Sequence, residues 1–243
     1  MKKSGKNIIF LLLIFVLGVS TAFLIYLHFF ASGDGKLSGE WTAELDLTDR
    51  AVVTALDWLQ DIEAVSVSME ELEASMQGLT VQMHMTMEQT SRSAGTFQCG
   101  VLPESYEACS QAAYEAFAAA FRELLTERLH LAGYPDITDG EAVEALVQET
   151  FGMSSVSYLM TCGPALLPSL KELQAEYDGS GTYETAEGVL TRRFDADGAE
   201  KTESERYIRQ GGSLVLLGEA DSDAADSHGG RYPAVYTLEQ SEN

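Results

Sequence analysis

The chain has 243 residues, with 38 Asp and Glu against 15 Lys and Arg, for a formal net charge of −23 at pH 7. A surface this acidic repels phosphate backbones and anionic headgroups, which excludes nucleic acid as a partner. Three cysteines in so long a chain do not make a disulfide framework.

Residues 8–30 (IIFLLLIFVLGVSTAFLIYLHFF) contain no Asp, Glu, Lys or Arg. At about 1.5 Å rise per residue this stretch makes a helix of ~34 Å, enough to cross a hydrocarbon core of ~30 Å. Lys2, Lys3 and Lys6 precede it, and basic residues stay on the cytoplasmic side, so the body is expected outside the membrane. A cleaved signal peptide would carry an apolar region of about 7–15 residues ending at a small-x-small site, and this run is longer. The expected organisation is a cytoplasmic head (1–7), a transmembrane helix (8–30), a linker (31–36) and an extracytoplasmic domain (37–240). All 38 acidic residues follow the anchor, which gives the body solubility and spacing from an anionic cell surface.

Within the body, Leu37 to Thr48 alternates, with Trp41, Ala43, Leu45 and Leu47 on one side, as a half-buried strand does. Arg50 to Ile62 changes to a helical period over Val52, Ala55, Leu56, Leu59 and Ile62, with Asp49 placed to cap it. Ser68-x-x-Glu71 has the spacing of a capping box and opens a second short helix over Leu72 and Met76. From Leu79 the period returns to two. Leu79, Val81, Met83, Met85 and Met87 face one way, and His84 stands among the outward polar residues. A turn at 91–95 leads into the strand Thr96 to Val101.

The segment 103–177 is read as a helical insertion. Pro103 suits a first-turn position, Tyr106 to Leu131 runs without a breaker, and Gly133 follows as a C′ residue. Thr138-x-x-Glu141 opens a helix over Ala142 to Phe151, and Pro168 begins a shorter one to Tyr177. Beyond Asp178-Gly179 the chain reads as β throughout: Gly181 to Phe194, Glu203 to Gln210, the Gly211-Gly212 hairpin, Ser213 to Gly218, and Tyr232 to Glu239. Seven strands around one helical block make the fold class α+β, an antiparallel β-sheet or barrel with a helical insertion plus one N-terminal transmembrane helix.

Gly39-Glu40-Trp41 resembles the Gly-x-Trp that opens the first strand of lipocalin-like barrels, and the meander from Tyr183 to Tyr236 is similar to their closing strands. The likeness covers about half the body. It implies a closed antiparallel barrel with room for a small apolar ligand. Trp41, Leu45, Val81, Met83, Met85 and Met87 are the residues expected to line such a cavity, since methionine side chains repack around a guest.

Leu159-Met-Thr-Cys162 resembles the Leu-x-Thr-Cys that ends the catalytic strand of sortases, which implies a cysteine transpeptidase or hydrolase built on Cys162. Such an enzyme needs a His as proton partner and an Arg shortly after the cysteine. Here Gly163-Pro164 follows directly and the first downstream arginine is Arg192, so Cys162 is expected to be a buried thiol. Cys162-Gly-Pro-Ala165 lacks the second cysteine of a redox turn. Cys99 and Cys109 flank a short segment, and two alternatives stand for them: a local bridge, or buried thiols. The carboxylate-rich stretches 195–200 and 221–226 are shorter than a full calcium loop and read as solvated turns. No catalytic residue, cofactor or metal is therefore expected. The function expected is that of a membrane-anchored, non-enzymatic module that binds a small apolar ligand, a wall component or a partner protein.

Overall fold

The computed structural model describes residues 37–60, 69–195, 201–220 and 232–239. Eight strands close on one another in sequence order, every neighbouring pair antiparallel: β1 Gly39–Asp46, β2 Thr80–Gln89, β3 Ala94–Val101, β4 Gly179–Ala186, β5 Val189–Phe194, β6 Lys201–Gln210, β7 Ser213–Glu219 and β8 Ala234–Leu238. Six helices complete the described α+β body: α1 Thr48–Gln60, α2 Met69–Ser75, α3 Pro103–Leu131, α4 Gly140–Phe151, α5 Ser155–Cys162 and α6 Leu170–Tyr177. β8 pairs with β7 and with β1, through Trp41 opposite Leu238 and Thr42 opposite Thr237, and so leaves no sheet edge.

In an all-antiparallel barrel the connections alternate between two ends. At one end lie three short turns: 90–93, 187–188 and 211–212. The chain also enters β1 and leaves β8 there. All six helices belong to connections at the opposite end, α1 and α2 between β1 and β2, and α3 to α6 between β3 and β4.

The alternation of β2 is realised as read: Val81, Met83, Met85 and Met87 are buried in the barrel and the residues between them face out. Trp41 is fully buried on β1, opposite Met85. A second apolar layer lies among the helices, where Phe117 and Phe121 of α3 meet Trp58 of α1 at centroid distances of 5.7 and 5.9 Å. α3 is 29 residues long with Pro103 in its first turn, where a missing N–H costs no hydrogen bond, and Gly133 follows at φ 93°.

Several expectations are corrected. Among the described residues there are eight strands, because Gly181 to Phe194 is not one strand: Glu187 at φ 52° and Gly188 at φ 78° turn the chain between β4 and β5 in the twist a two-residue hairpin requires. The last strand is confined to Ala234–Leu238. Asp49 sits in the first turn of α1, and the side chain of Asp46 accepts from Thr48 N–H at 2.8 Å. Asp139, not Thr138, caps α4, accepting from the N–H groups of Glu141 and Ala142. α6 begins after Ser169, whose side chain and Glu172 form a reciprocal capping box, so Pro168 precedes the helix.

α5 has no counterpart among the expected elements. Ser154 caps it and Gly163 N–H returns to Leu159 O. The proposed Ser68 cap, Ile62, the stretch 8–30 with its head and linker, and the carboxylates from 196 to 200 and 221 to 226 lie outside the described residues. Among the described residues no helix is long and apolar enough to cross a membrane.

Candidate functional site

Two places in the fold concentrate chemistry: the barrel interior beneath the helices, and a groove on the helical side itself. In the interior, Leu190, Arg192 and Phe194 share the inward phase of β5, and Glu203, Glu205 and Tyr207 that of β6. Register places Arg192 opposite Glu203 and Leu190 opposite Glu205, so two carboxylates two residues apart flank one guanidinium.

Arg192 is 4% exposed and Glu205 1%, and Arg192 Nη2 lies 2.9 Å from Glu203 Oε2 and 2.7 Å from Glu205 Oε2. Tyr232 O–H donates to Glu205 Oε1. The guanidinium also packs against Phe97 and Phe194, 5.7 and 5.5 Å from their centroids, while Lys201 Nζ stands 3.0 Å from Glu203 Oε1 toward solvent. Two carboxylates are thus matched by two cations, one buried and one half-exposed. Such a cluster adds little net stability over a packed apolar core, but removal of one member strands the others in low dielectric.

Beside the cluster Cys99 donates its S–H to Tyr177 O at 3.2 Å, which ties β3 to the end of α6. Burial pushes this thiol up; nearby Arg192 pulls the other way without prevailing, and Glu203 and Asp178 add to the rise. A cavity of about 40 Å³ remains here, lined among others by Leu45, Met83, Cys99, Arg192, Glu205 and Tyr232. At roughly 10–15 Å³ for each water centre, it has room for about three waters. Arg192 Nε is buried against it without a hydrogen-bond partner among the described residues, a polar group suited to such a water.

Of the six residues expected to line a ligand cavity, Leu45 and Met83 border this space, whereas Trp41, Val81, Met85 and Met87 are packed in the barrel core. Arg209 covers the Trp41 ring, its Cζ 5.9 Å from the centroid. The ion cluster was missed because Arg192, Glu203 and Glu205 look like ordinary outward polar residues. The signal that finds them is phase, since each alternates in step with Leu190, Phe194 and Tyr207.

Cys162 contradicts its expected burial: it lies at the C-terminal end of α5 and is exposed. The segment resembling a sortase strand is helical, capped by Ser154, and Arg192 is committed to the barrel interior. No hydrogen bond joins Cys162 to a histidine or an arginine among the described residues. Cys99 and Cys109 are both buried and free, which closes the question of a local bridge. His84 is half-buried on the outer face of β2, with Nδ1 unpartnered among the described residues. Among the described residues no three His, Cys, Asp or Glu side chains are grouped to hold a metal ion.

The second place is a groove of about 620 Å³ between α1 and the strip Gly163–Pro168. Val53, Ala165 and Pro168 supply apolar surface over the buried side chains of Leu166 and Leu167, and Asp46, Asp49, Arg50 and Glu172 its charged rim. Hydrogen bonds from the Ser169 side chain and backbone hold the Glu172 carboxyl below the usual carboxylate value.

Two prolines, Pro164 and Pro168, fix the backbone of the strip and bias the residues before them to extended conformations. Gly163 is extended at φ −82°, ψ −174°. Tyr114 and Tyr106 of α3 donate their hydroxyls to Pro164 O and Pro168 O, at 2.9 and 3.0 Å, and so tie down both ends. Between those ends Ala165, Leu166 and Leu167 make no backbone hydrogen bond among the described residues. The surroundings are strongly acidic: α1, α2 and the segment from Pro103 to Asp178 together carry eighteen Asp and Glu against four Lys and Arg. No protein-family model, no curated protein and no solved structure matches this chain.

Proposed function

We propose that this chain is a single-pass, membrane-anchored extracytoplasmic module without enzymatic activity, in which a lipocalin-like barrel carries a helical cap that meets a partner protein. One observation carries the reading. The barrel interior is packed down to a cavity of about 40 Å³ with a charged lining, far below the roughly 300–1,000 Å³ of small-molecule sites, while concave apolar surface is found among the helices. A small apolar guest inside the barrel would have to displace the Trp41 and methionine packing and lie against Arg192 and Glu205.

The anchor rests on residues 8–30 and on Lys2, Lys3 and Lys6. Sortase-type chemistry has only the exposure of Cys162 on its side, and among the described residues no histidine or arginine is hydrogen-bonded to it.

The test uses the full chain in intact cells. A membrane-impermeant maleimide should label Cys162 and leave a cysteine placed at Lys3 in a Cys162→Ala background unlabelled. A soluble secreted species beginning near Ala31 would overturn the anchor. Photo-crosslinkers at Val53 and, for comparison, at Thr86 on the outer barrel separate the two surfaces. Discrete adducts from Val53 alone support the cap, and adducts from Thr86 alone, or from neither, overturn it.

A further inference from the structure

We infer that the outer wall of β6, β7 and β8 receives a second copy of this chain, in a twofold contact whose axis runs along β7. The inference goes beyond the partner-binding cap and rests on the proposed anchor only for bringing copies together.

The wall carries an apolar row where a barrel surrounded by water alternates to polar residues. Register places Ile208 opposite Val215 and Val215 opposite Val235, so three neighbouring strands present aliphatic side chains side by side on the outside. Ile208 is 53% exposed and Val235 51%, and Leu217, at the bulge between β6 and β7, is 47% exposed beside them. Scattered apolar residues need no explanation, but a contiguous row across a sheet marks a contact surface.

Charge selects the occupant. The chain carries −23, so two copies repel wherever their acidic faces approach. β1 and β2 turn Glu40, Glu44, Asp46 and Glu88 outward with no Lys or Arg, whereas the outward positions of β6, and of β7 up to its bulge, carry Arg206 and no carboxylate. The two ends of the row also differ in sign: Arg206 stands two residues before Ile208 on β6, and Glu44 shares a surface groove with Val235 across the β8–β1 seam. A twofold axis along β7 reverses the row, setting Val215 against Val215, Ile208 against Val235, and Arg206 of each copy toward Glu44 of the other. An acidic partner would be repelled at the Glu44 end and a basic one at the Arg206 end, while a reversed copy matches both.

The face is small. Three strands ~4.8 Å apart and about six residues long make a patch of about 14 by 20 Å, well under the ~800 Å² a side of a standard interface. The contact therefore belongs to the weak, transient class, and copies sharing one membrane reach it through their effective concentration.

The test uses the full chain in proteoliposomes, carrying Cys162→Ala so that the remaining native thiols, Cys99 and Cys109, are both buried. A short bis-maleimide should link Val215→Cys chains into dimers at a yield at least tenfold above Thr96→Cys chains, whose thiol lies on the outer face of β3. Arg206→Glu and Glu44→Arg should each cut the Val215→Cys yield at least fivefold, although the second makes the chain less acidic, and the two together should restore it.

Equal yields from Val215→Cys and Thr96→Cys, no loss in the single swaps, or no recovery in the double swap would each overturn the inference. Recovery in the double swap also shows that the single swaps lost a contact and not the fold. Flotation of the chain with the liposomes reads the anchor, and crosslinks from Val53 read the cap, so these readings fail separately.

Discussion

Arg192 is the residue on which the barrel interior depends most unevenly. It gains little by being charged there, yet its loss leaves Glu203 and Glu205 facing each other with Glu205 almost wholly out of water. Arg192→Met should therefore destabilise the body by about 3–5 kcal/mol in urea, and adding Glu205→Gln should return part of that loss. Additive effects in the double variant would mean that the pair is not coupled.

Glu144 behaves differently. The Ser155 hydroxyl above all holds its carboxyl below the usual 4.5, with burial opposing and the Ser155 N–H and Arg122 helping. The unfolded chain thus takes up the proton first as pH falls. The contribution is present above the ordinary carboxylate value and is lost as pH drops through the lowered one. Glu144→Gln should flatten the acid arm of the stability profile and leave the neutral plateau shifted by a constant.

The thiols give a third measurement. Burial, with Asp46 adding, pushes Cys109 up to about 11, and Cys99 is also raised, so iodoacetamide at neutral pH should modify Cys162 well before either. Because the folded value of Cys109 exceeds the ordinary 9.0, its contribution is whole below that value and fades as pH rises toward 11. Labelling of Cys99 first would show that the barrel opens, and labelling of Cys109 first that the packing of α3 opens.

At the scale of elements, α6 is capped by the side chain of Ser169. It accepts from Glu172 N–H at 3.3 Å, and Ser169 N–H donates to Glu172 Oε2 at 2.8 Å. Ser169→Ala should cost about 0.5–2 kcal/mol by denaturation. It should also loosen Tyr177, whose carbonyl takes the Cys99 thiol, so the thiol should label faster.

Elements with a long, clean period were legible from residues alone. β2 shows an unbroken two-residue alternation through Met87, and α3 runs between Pro103 and Gly133 without a breaker. α5 was not, because eight residues give barely two turns, Val156 and Thr161 are β-branched, and no acidic residue marks the first turn. The β4–β5 turn hid for a related reason: Glu187 is an unusual residue at positive φ, and Glu-Gly is a weak hairpin signal beside Asn-Gly. The Arg192 cluster was visible only by phase. The groove needed tertiary structure, since α1 and the strip are more than a hundred residues apart in sequence.

On the scale of the whole molecule, one strand closes the barrel. β8 has five residues, supplies Tyr236 to the interior and pairs on both sides, with Glu239 N–H reaching Glu40 O at 2.8 Å. A chain ending before Ala234 would expose the edges of β1 and β7 as unpaired templates. Such a truncation should lose cooperative unfolding and form oligomers, seen by light scattering and by the width of the denaturation transition. A monomer that unfolds as sharply as the full chain would refute this.

The same closure has a consequence for how the molecule is made. The hydrogen bond from Thr42 to Thr237 spans 195 positions, so a ribosome or translocation channel that has delivered β1 through β7 has delivered a curved open ribbon, not a barrel. Local helices and adjacent hairpins fold within their own lengths, but the β1–β8 seam waits for the final strand and carries the largest loop-closure entropy in the fold. During that interval β1 and β7 of one chain are complementary to those of the next, and chaperone demand should rise with the pause before residue 234 rather than with total stability.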